Sequence, residues 1–205
     1  MKNLKNIIFD FDGVIFSSDK FYLETINKIF GLDISEEEWK MAYNTNTNIS
    51  MRESGKFKKI DWEKYDKESQ KDFPLLKIDS QVKEVLEKFS KKYKLFIITS
   101  GHKGRYEKFL ENNRVDVLFE KLLGFEEHKL KGPKFKMLEE EFGTSPEDSV
   151  FVTDSTGDIF EAREVGYKSI GITTGVHHRD ELERFEPLVV VDDFKELEEF
   201  VENDG

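Results

Sequence analysis

A short apolar run that ends in two aspartates constrains the fold of this chain more than any other feature. Ile7–Phe9 is too short for a helix and suits a strand buried on both faces of a parallel sheet. Asp10 and Asp12 follow at once, and carboxylates two residues apart on an extended chain project to the same side. Gly13 then lets the backbone leave the sheet. The stretch predicts a buried strand that carries like charges to its carboxyl end, where open α/β sheets bind ligands; the simpler interpretation is two solvated aspartates in a turn.

Composition narrows the possible partners. The chain has 205 residues, enough for a substantial core and for one domain or one domain with an insert. A formal net charge of −11 with 37% charged residues argues against nucleic acid or an anionic membrane as the main partner. The absence of cysteine excludes disulfides and thiolate metal sites. No signal-peptide pattern or long apolar run is visible, so we expect a cytoplasmic monomer or small homo-oligomer.

The residues after the first strand differ in character from the rest of the chain. Residues 16–79 are polar and mostly helical in pattern, which predicts a small helical insert between two parts of a core, 1–15 and 80–205. Within the insert, Ser35 and Glu38 have the spacing of a capping box. Asn44–Ser50 is predicted to be a loop, and a helical pattern resumes over Met51–Phe57.

From residue 80 onward, strand-like and helix-like segments alternate. This rhythm predicts an α/β fold with a doubly wound parallel sheet, a Rossmann-like core with the helical insert as a cap. The predicted strands after the first are Lys94–Ile98, Leu122–Phe125, Ser149–Thr153, Ser169–Ile172 and Val189–Val191.

Chemically useful residues follow several of these strands. Thr99 and Ser100 come directly after one strand, Asp154 and Asp158 after another, and Lys131 lies between them in the sequence. The carboxyl ends of parallel strands share one edge of a sheet, so these side chains are expected to meet there. Carboxylates, a hydroxyl and an ammonium suit phosphate chemistry with a hard divalent cation such as Mg²⁺.

These motifs resemble those of the haloacid dehalogenase-like hydrolase superfamily. DFDGV is similar to its first motif, FIITSG to the second, Lys131 to the third and VTDSTGD to the fourth. The resemblance covers nearly the whole chain, although the insert matches only in position and character. It implies that the insert is a helical cap that closes over the site.

The resemblance also implies the catalytic roles. Asp10 would attack phosphorus and form an aspartyl-phosphate, and Asp12 would protonate the leaving oxygen and then activate water. Thr99, the amide of Ser100 and Lys131 would hold the phosphate oxygens.

A metal site is implied as well. Mg²⁺ would be held by Asp10, the backbone carbonyl of Asp12, Asp154 and Asp158, the last as a ligand or an orienting residue. Thr153 is a departure, because the fourth motif usually carries glycine or an acid at this position.

Some assignments have rivals within the sequence. Lys129 and Lys134 compete with Lys131 as the site lysine, since a lysine run often forms a solvated face. Ser100 competes with Thr99 as the hydroxyl that holds phosphate.

Other residues have both a functional and a structural interpretation. Asp158 could be an ordinary acid at a helix start, and the pair His177-His178 is interpreted as surface or structural. Arg52 and Lys56 could reach a second anionic group of a substrate, although a solvent-facing helix explains them equally well.

The leading functional hypothesis is an Mg²⁺-dependent phosphatase that hydrolyses a small phosphorylated metabolite through an aspartyl-phosphate. A phosphosugar mutase would use the same intermediate and return the phosphoryl group to the sugar. From other classes of protein, a receiver-like signalling module or a non-catalytic module that binds phosphometabolites stays open.

Overall fold

The computed structural model describes residues 3–43 and 55–204. Within them, one parallel sheet contains six strands. The strands are β1 (Asn6–Phe9), β2 (Lys94–Ile98), β3 (Phe119–Leu123), β4 (Ser149–Thr153), β5 (Lys168–Ile172) and β6 (Val189–Val191). The predicted loop at Asn44–Ser50 and the candidate Arg52 lie outside the described residues.

Helices connect and flank these strands. They are α1 (Asp19–Phe30), α2 (Glu36–Tyr43), α3 (Trp62–Asp72), α4 (Ser80–Phe89), α5 (Lys103–Asn113), α6 (Lys131–Phe142), α7 (Thr156–Glu164), α8 (Arg179–Glu183) and α9 (Phe194–Asp204). Short 3-10 turns cover Gly55–Lys59, Phe73–Leu75 and Asp116–Leu118. In the described part of the chain, no helix is both long and apolar enough to cross a membrane.

The strand order confirms the predicted fold class. The sheet runs β3-β2-β1-β4-β5-β6, and every neighbouring pair is parallel. The order reverses between β1 and β4, and open α/β sheets bind ligands outside the carboxyl ends of the strands at such a reversal. Asp10 follows β1 and Asp154 follows β4, so both stand at this point.

Strand β1 is buried on both faces, as its apolar run predicts. Ile7 and Phe9 belong to the larger apolar cluster, whereas Ile8 belongs to a second cluster that includes Phe96 and Phe151. Because alternate side chains of a strand point to opposite faces, helices must cover both sides of the sheet.

Aromatic side chains join the residues after β1 to the core. Phe73 is fully buried and its ring centroid lies 6.0 Å from that of Phe11 and 5.5 Å from those of Tyr106 and Phe109. Offset and edge-to-face pairs of this kind add to the apolar area that is buried. The helical segment is therefore held over the carboxyl ends of β1 and β2. The proposed division at residues 16–79 stays a prediction.

Two local predictions differ from the structure. Strand β3 covers Phe119–Leu123, earlier in the chain than the predicted Leu122–Phe125. Within the described residues it lies at one edge of the sheet, paired with β2, and an edge strand tolerates the polar Glu120 and Lys121, which precede the predicted apolar run. The predicted helix Met51–Phe57 is described only from residue 55 onward, and there the chain forms the 3-10 turn Gly55–Lys59 instead of an α-helix.

The capping box of α2 is confirmed. The Glu38 backbone N–H donates to Ser35 Oγ over 3.1 Å, and the Glu38 carboxylate accepts from the Ser35 backbone N–H over 2.9 Å. This reciprocal pair satisfies two donors that the start of the helix would otherwise leave free.

Candidate active site

Lys131 joins two of the predicted carboxylates. Its ammonium lies 2.5 Å from Asp10 Oδ2 and also bonds to Asp158 Oδ2, with only 2% of the residue exposed. The Lys131 backbone N–H donates to the Glu161 carboxylate over 2.6 Å, which fixes the start of α6 against α7. Residues from three separate parts of the chain thus meet at the carboxyl edge of the sheet.

Asp158 is held in place from the end of β4. The Thr153 hydroxyl donates to Asp158 Oδ2 over 3.1 Å and accepts from the Ser155 backbone N–H over 3.1 Å. The threonine that departs from the usual fourth motif therefore orients this carboxylate. Asp158 lies in the first turn of α7, yet its contacts with Lys131 and Thr153 show more than an ordinary interaction with the helix end.

The Asp154 carboxylate is closely surrounded by the backbone of two loops. Its Oδ2 accepts from the Val176 backbone N–H over 2.8 Å. A Cβ atom added at Gly13 or at Gly175 would collide with this carboxylate, so both positions need glycine. Gly13 also has a φ of +74°, which favours glycine on its own. These constraints bring the loop after β1 and the loop after β5 against Asp154.

The electrostatics of the cluster follow from burial and from Lys131. Burial raises the pKa of Asp10, opposed by the Lys131 ammonium, and burial likewise raises the pKa of Asp154 to about 7. Burial acts in the same sense on Asp158, but Lys131, Asp10 and Thr153 together hold the Asp158 pKa below its ordinary value. Burial disfavours the Lys131 ammonium, but Asp10 and Asp158 more than compensate and raise its pKa.

The donor set fits Mg²⁺. Asp10 and Asp154 are buried, Asp158 is partly buried, and the Lys131 ammonium contacts Asp10 and Asp158. Three carboxylates against one ammonium leave the cluster with negative charge whenever all three are ionised, and a bound cation favours that ionised form. Among the described residues, no three His, Asp or Glu side chains form a preformed ligand cluster. Mg²⁺ requires fewer protein ligands than that, since it keeps several waters and binds through one or two carboxylates together with substrate phosphate.

The loop after β2 provides a hydroxyl and is supported by a second lysine. Thr99 is buried, and its hydroxyl oxygen accepts from the Gly101 backbone N–H over 3.2 Å, so its proton stays available to a phosphate oxygen. The Thr99 carbonyl accepts from the ammonium of Lys134, whose pKa burial lowers to about 8. Ser100 is exposed, and its role remains a prediction.

The three candidate lysines therefore occupy different positions. Lys131 bridges Asp10 and Asp158, whereas Lys134 supports the Thr99 loop. Lys129 is exposed, with its ammonium 5.9 Å from the centre of the Phe125 ring. The geometry favours Lys131 as the site lysine.

Asp12 turns toward two tyrosines that the sequence analysis did not identify. The Tyr22 hydroxyl donates to Asp12 Oδ1 over 2.6 Å, and the Tyr106 hydroxyl donates to Asp12 Oδ2. Arg105 Nη2 donates in turn to the Tyr106 hydroxyl over 2.7 Å. Tyr22 and Tyr106 lie on apolar helix faces, where aromatic residues usually indicate core, so their hydroxyl contacts left no signal in the sequence.

Two other candidates have structural contacts. The pair His177-His178 agrees with its interpretation as surface or structural, because His178 is exposed and His177 is buried. His177 Nδ1 lies 3.2 Å from the Asp154 carbonyl oxygen, and its Nε2 lies 3.4 Å from Thr156 Oγ1. The Lys56 ammonium is partly exposed and pairs with the Glu38 carboxylate over 2.8 Å.

Fold and site together define a hydrolase of a known family. The sequence profile of the haloacid dehalogenase-like hydrolases matches residues 7–172, and the chain belongs to this family. The match begins in β1 and ends at the last residue of β5, so it includes all four motifs.

Individual relatives agree with this assignment. A protein of Caldanaerobacter subterraneus assigned as the pyrophosphatase PpaX is 28% identical over 93% of this chain and 91% of its own length. A phosphoglycolate phosphatase of Aliivibrio fischeri is 29% identical over 57% of this chain, which spans 53% of that relative. A solved haloacid dehalogenase-like hydrolase of Streptococcus pneumoniae has a TM-score of 0.79 and 19% identity, with 98% of this chain and 100% of that chain covered.

Proposed function

We propose that this protein is an Mg²⁺-dependent phosphatase that hydrolyses a small phosphorylated metabolite through an aspartyl-phosphate on Asp10. The observation that carries the proposal is the position of Asp12. Its carboxylate is held by Tyr22 and Tyr106, while Asp10 contacts Lys131. Two neighbouring carboxylates thus have different partners, one suited to nucleophilic attack and the other to proton transfer.

The first step forms the intermediate. Asp10 Oδ1 accepts from the Phe11 backbone N–H over 2.7 Å and Oδ2 contacts Lys131, so the carboxylate is fixed before substrate binds. A bond forms between an Asp10 oxygen and phosphorus, the ester P–O bond breaks, and Asp12 donates a proton to the leaving oxygen. Lys131 and Thr99 stabilise the phosphoryl oxygens, and bound Mg²⁺ would neutralise part of their charge.

The second step releases phosphate. Asp12, now ionised, accepts a proton from a water molecule as that water attacks phosphorus. The bond between Asp10 and phosphorus breaks, which yields inorganic phosphate, restores the Asp10 carboxylate and leaves Asp12 protonated for the next cycle. Asp154 and Asp158 are the further residues that would hold the cation, the latter directly or by orienting a ligand.

The names of the relatives support the substrate class. The Aliivibrio fischeri relative is named for phosphoglycolate and the Caldanaerobacter subterraneus relative for pyrophosphate, both of them small phosphorylated compounds. We infer a substrate of comparable size, acted on in the cytoplasm.

A panel of small phosphate esters and pyrophosphate tests the proposal. The purified protein should release inorganic phosphate with Mg²⁺ and lose this activity with a chelator. Asp10→Asn should abolish release, because an amide oxygen is a far weaker nucleophile than a carboxylate. Asp116→Asn changes an exposed aspartate of the same kind and should leave the rate unchanged. Normal turnover by Asp10→Asn would refute the mechanism.

A further inference from the structure

Arg105 is a buried cation, 8% exposed. Among residues 3–43 and 55–204, its one ion-pair contact joins Nη1 to Asp66 Oδ1 over 3.9 Å, which is too long for a hydrogen bond. Its Nε–H is buried and has no hydrogen-bond partner among the described residues. Burial of an incompletely paired guanidinium is costly, because the charge and its donors lose water without full compensation.

Three aromatic rings lie close to this guanidinium. Its Cζ lies 5.2 Å from the ring centre of Tyr22, 5.6 Å from that of Phe73 and 4.8 Å from that of Tyr106. Contacts of a cation with ring faces are favourable by about 0.5–2 kcal/mol. They leave the Nε–H of Arg105 unsatisfied, so these contacts alone do not explain why the residue is an arginine.

The guanidinium lies beside the proposed catalytic groups. Nη2 donates to the Tyr106 hydroxyl, which donates to Asp12. A Cβ atom added at Gly101 would stand 2.6 Å from Arg105 Nη2, so the guanidinium also touches the loop that carries Thr99. In the proposed reaction Asp12 protonates the leaving oxygen, so the leaving group must lie on the Asp12 side. On this mechanism, Arg105 would lie nearer the leaving group than the transferred phosphoryl group, because Tyr106 links it to Asp12.

We propose that Arg105 binds a second anionic group, a carboxylate or a phosphate, on the leaving group of the substrate. This inference rests on the proposed function, because the position of the leaving group follows from the role of Asp12. A guanidinium matches the geometry of both anions and forms charge-assisted hydrogen bonds with them. Lys56, which the sequence offered for such a group, is instead paired with Glu38.

A matched pair of esters tests the assignment. Phosphoglycolate carries a carboxylate where ethyl phosphate has a methyl group, and the two are otherwise alike at the reacting end. In Arg105→Gln, the ratio of kcat/KM for phosphoglycolate to kcat/KM for ethyl phosphate should fall about 10- to 100-fold, the range expected for a hydrogen-bonded charge. Arg105→Lys keeps the charge and should recover part of the ratio. Arg184→Gln, at an exposed arginine paired with Asp180, should leave the ratio unchanged.

The ratio separates recognition from a structural role. If Arg105 only supports Tyr106 and Asp12, both esters lose activity by the same factor, and the proposal is overturned. The ratio does not depend on the fraction of protein that is folded, because both esters are measured on the same sample. Pyrophosphate provides a second comparison: a selective loss for pyrophosphate assigns a phosphate as the anion, and a selective loss for phosphoglycolate assigns a carboxylate.

A binding measurement separates this inference from the proposed function. Calorimetric titration of Asp10→Asn with phosphoglycolate and with ethyl phosphate requires no turnover. Tighter binding of phosphoglycolate that disappears on adding Arg105→Gln supports the anion site, even if the wild-type protein hydrolyses no ester. Suppose instead that the wild-type protein hydrolyses both esters, and that the preference of Asp10→Asn for binding phosphoglycolate over ethyl phosphate is unchanged by adding Arg105→Gln. The anion site at Arg105 is then wrong, whereas the proposed phosphatase activity stands.

Discussion

The carboxylates in the two halves of the candidate site have different partners, an ammonium in one half and tyrosine hydroxyls in the other. The strand-end half is ionic and consists of Asp10, Asp154, Asp158 and Lys131. The insert-facing half is aromatic and consists of Asp12, Tyr22, Tyr106 and Arg105. On the proposed mechanism, the strand-end half binds the charge that every phosphate ester carries, and the insert-facing half contacts the leaving group, in which esters differ. The two halves should therefore respond differently when substrates are exchanged.

Asp12→Asn should have the largest effect that depends on the leaving group. For an alkyl phosphate, kcat/KM should fall about 10²–10⁴-fold, the usual contribution of a positioned acid. For p-nitrophenyl phosphate the loss should be smaller, because nitrophenolate leaves without protonation. The quantity kcat/KM reports formation of the aspartyl-phosphate, so the later role of Asp12 does not obscure the comparison. Equal losses for both esters would place Asp12 outside proton transfer.

Lys131→Met should affect all esters alike. Loss of a cation that stabilises phosphoryl oxygens should lower kcat/KM about 10²–10³-fold for the alkyl and the nitrophenyl ester. The variant also leaves Asp10 and Asp158 without their shared ammonium, which should lower the free energy of unfolding by about 3–5 kcal/mol. Lys129→Met, at an exposed lysine nearby, is the matched control and should change neither quantity. A selective loss for one ester would contradict the division into halves.

Phe73→Ala should weaken the packing that holds the insert-facing half. Phe73 is fully buried against Phe11, Tyr22 and Tyr106, so truncation should lower the free energy of unfolding by about 3–5 kcal/mol. Leu75→Ala, at a side chain 67% exposed, should cost less than about 0.5 kcal/mol. Urea denaturation measures both. A decrease of less than about 1 kcal/mol in the free energy of unfolding of Phe73→Ala would show that Phe73 contributes little to the packing of the insert-facing half.

Removal of single tyrosine hydroxyls should have the smallest effects. Tyr22→Phe and Tyr106→Phe each delete one donor to Asp12 and should lower kcat/KM for an alkyl phosphate about 10-fold. Because both bind the same carboxylate, the double variant should lose less than the product of the two factors. A double variant that loses the full product of the two factors would show that the two hydroxyls act independently of each other, which contradicts their joint action on Asp12.

The sequence predicted the sheet well where burial imposes one residue pattern. Strand β2 has the predicted bounds Lys94–Ile98, because polar residues on both sides of the apolar run set where the buried strand begins and ends. The start of β3 was not predicted, because an edge strand with one neighbour does not require an uninterrupted apolar run.

The same contrast explains which site residues could be foreseen. Asp10, Thr99 and Asp154 each follow a strand, so topology alone predicts their convergence. Tyr22, Tyr106 and Arg105 depend on how helices pack across the site, and packing of aromatic faces has no short sequence signature. A buried tyrosine that fills space and one that donates to a carboxylate look alike in sequence.

Direct trapping of the intermediate tests the central claim that Asp10 is the nucleophile of a phosphoryl-transfer site. The wild-type protein would be mixed with its best substrate and Mg²⁺, quenched during turnover and reduced with borohydride, which converts an acyl phosphate to an alcohol. Peptide mass spectrometry should then find the modification at residue 10 in the wild-type protein and at no position in Asp10→Asn. Rapid turnover without modification at residue 10, or with modification of a different carboxylate, would contradict the account.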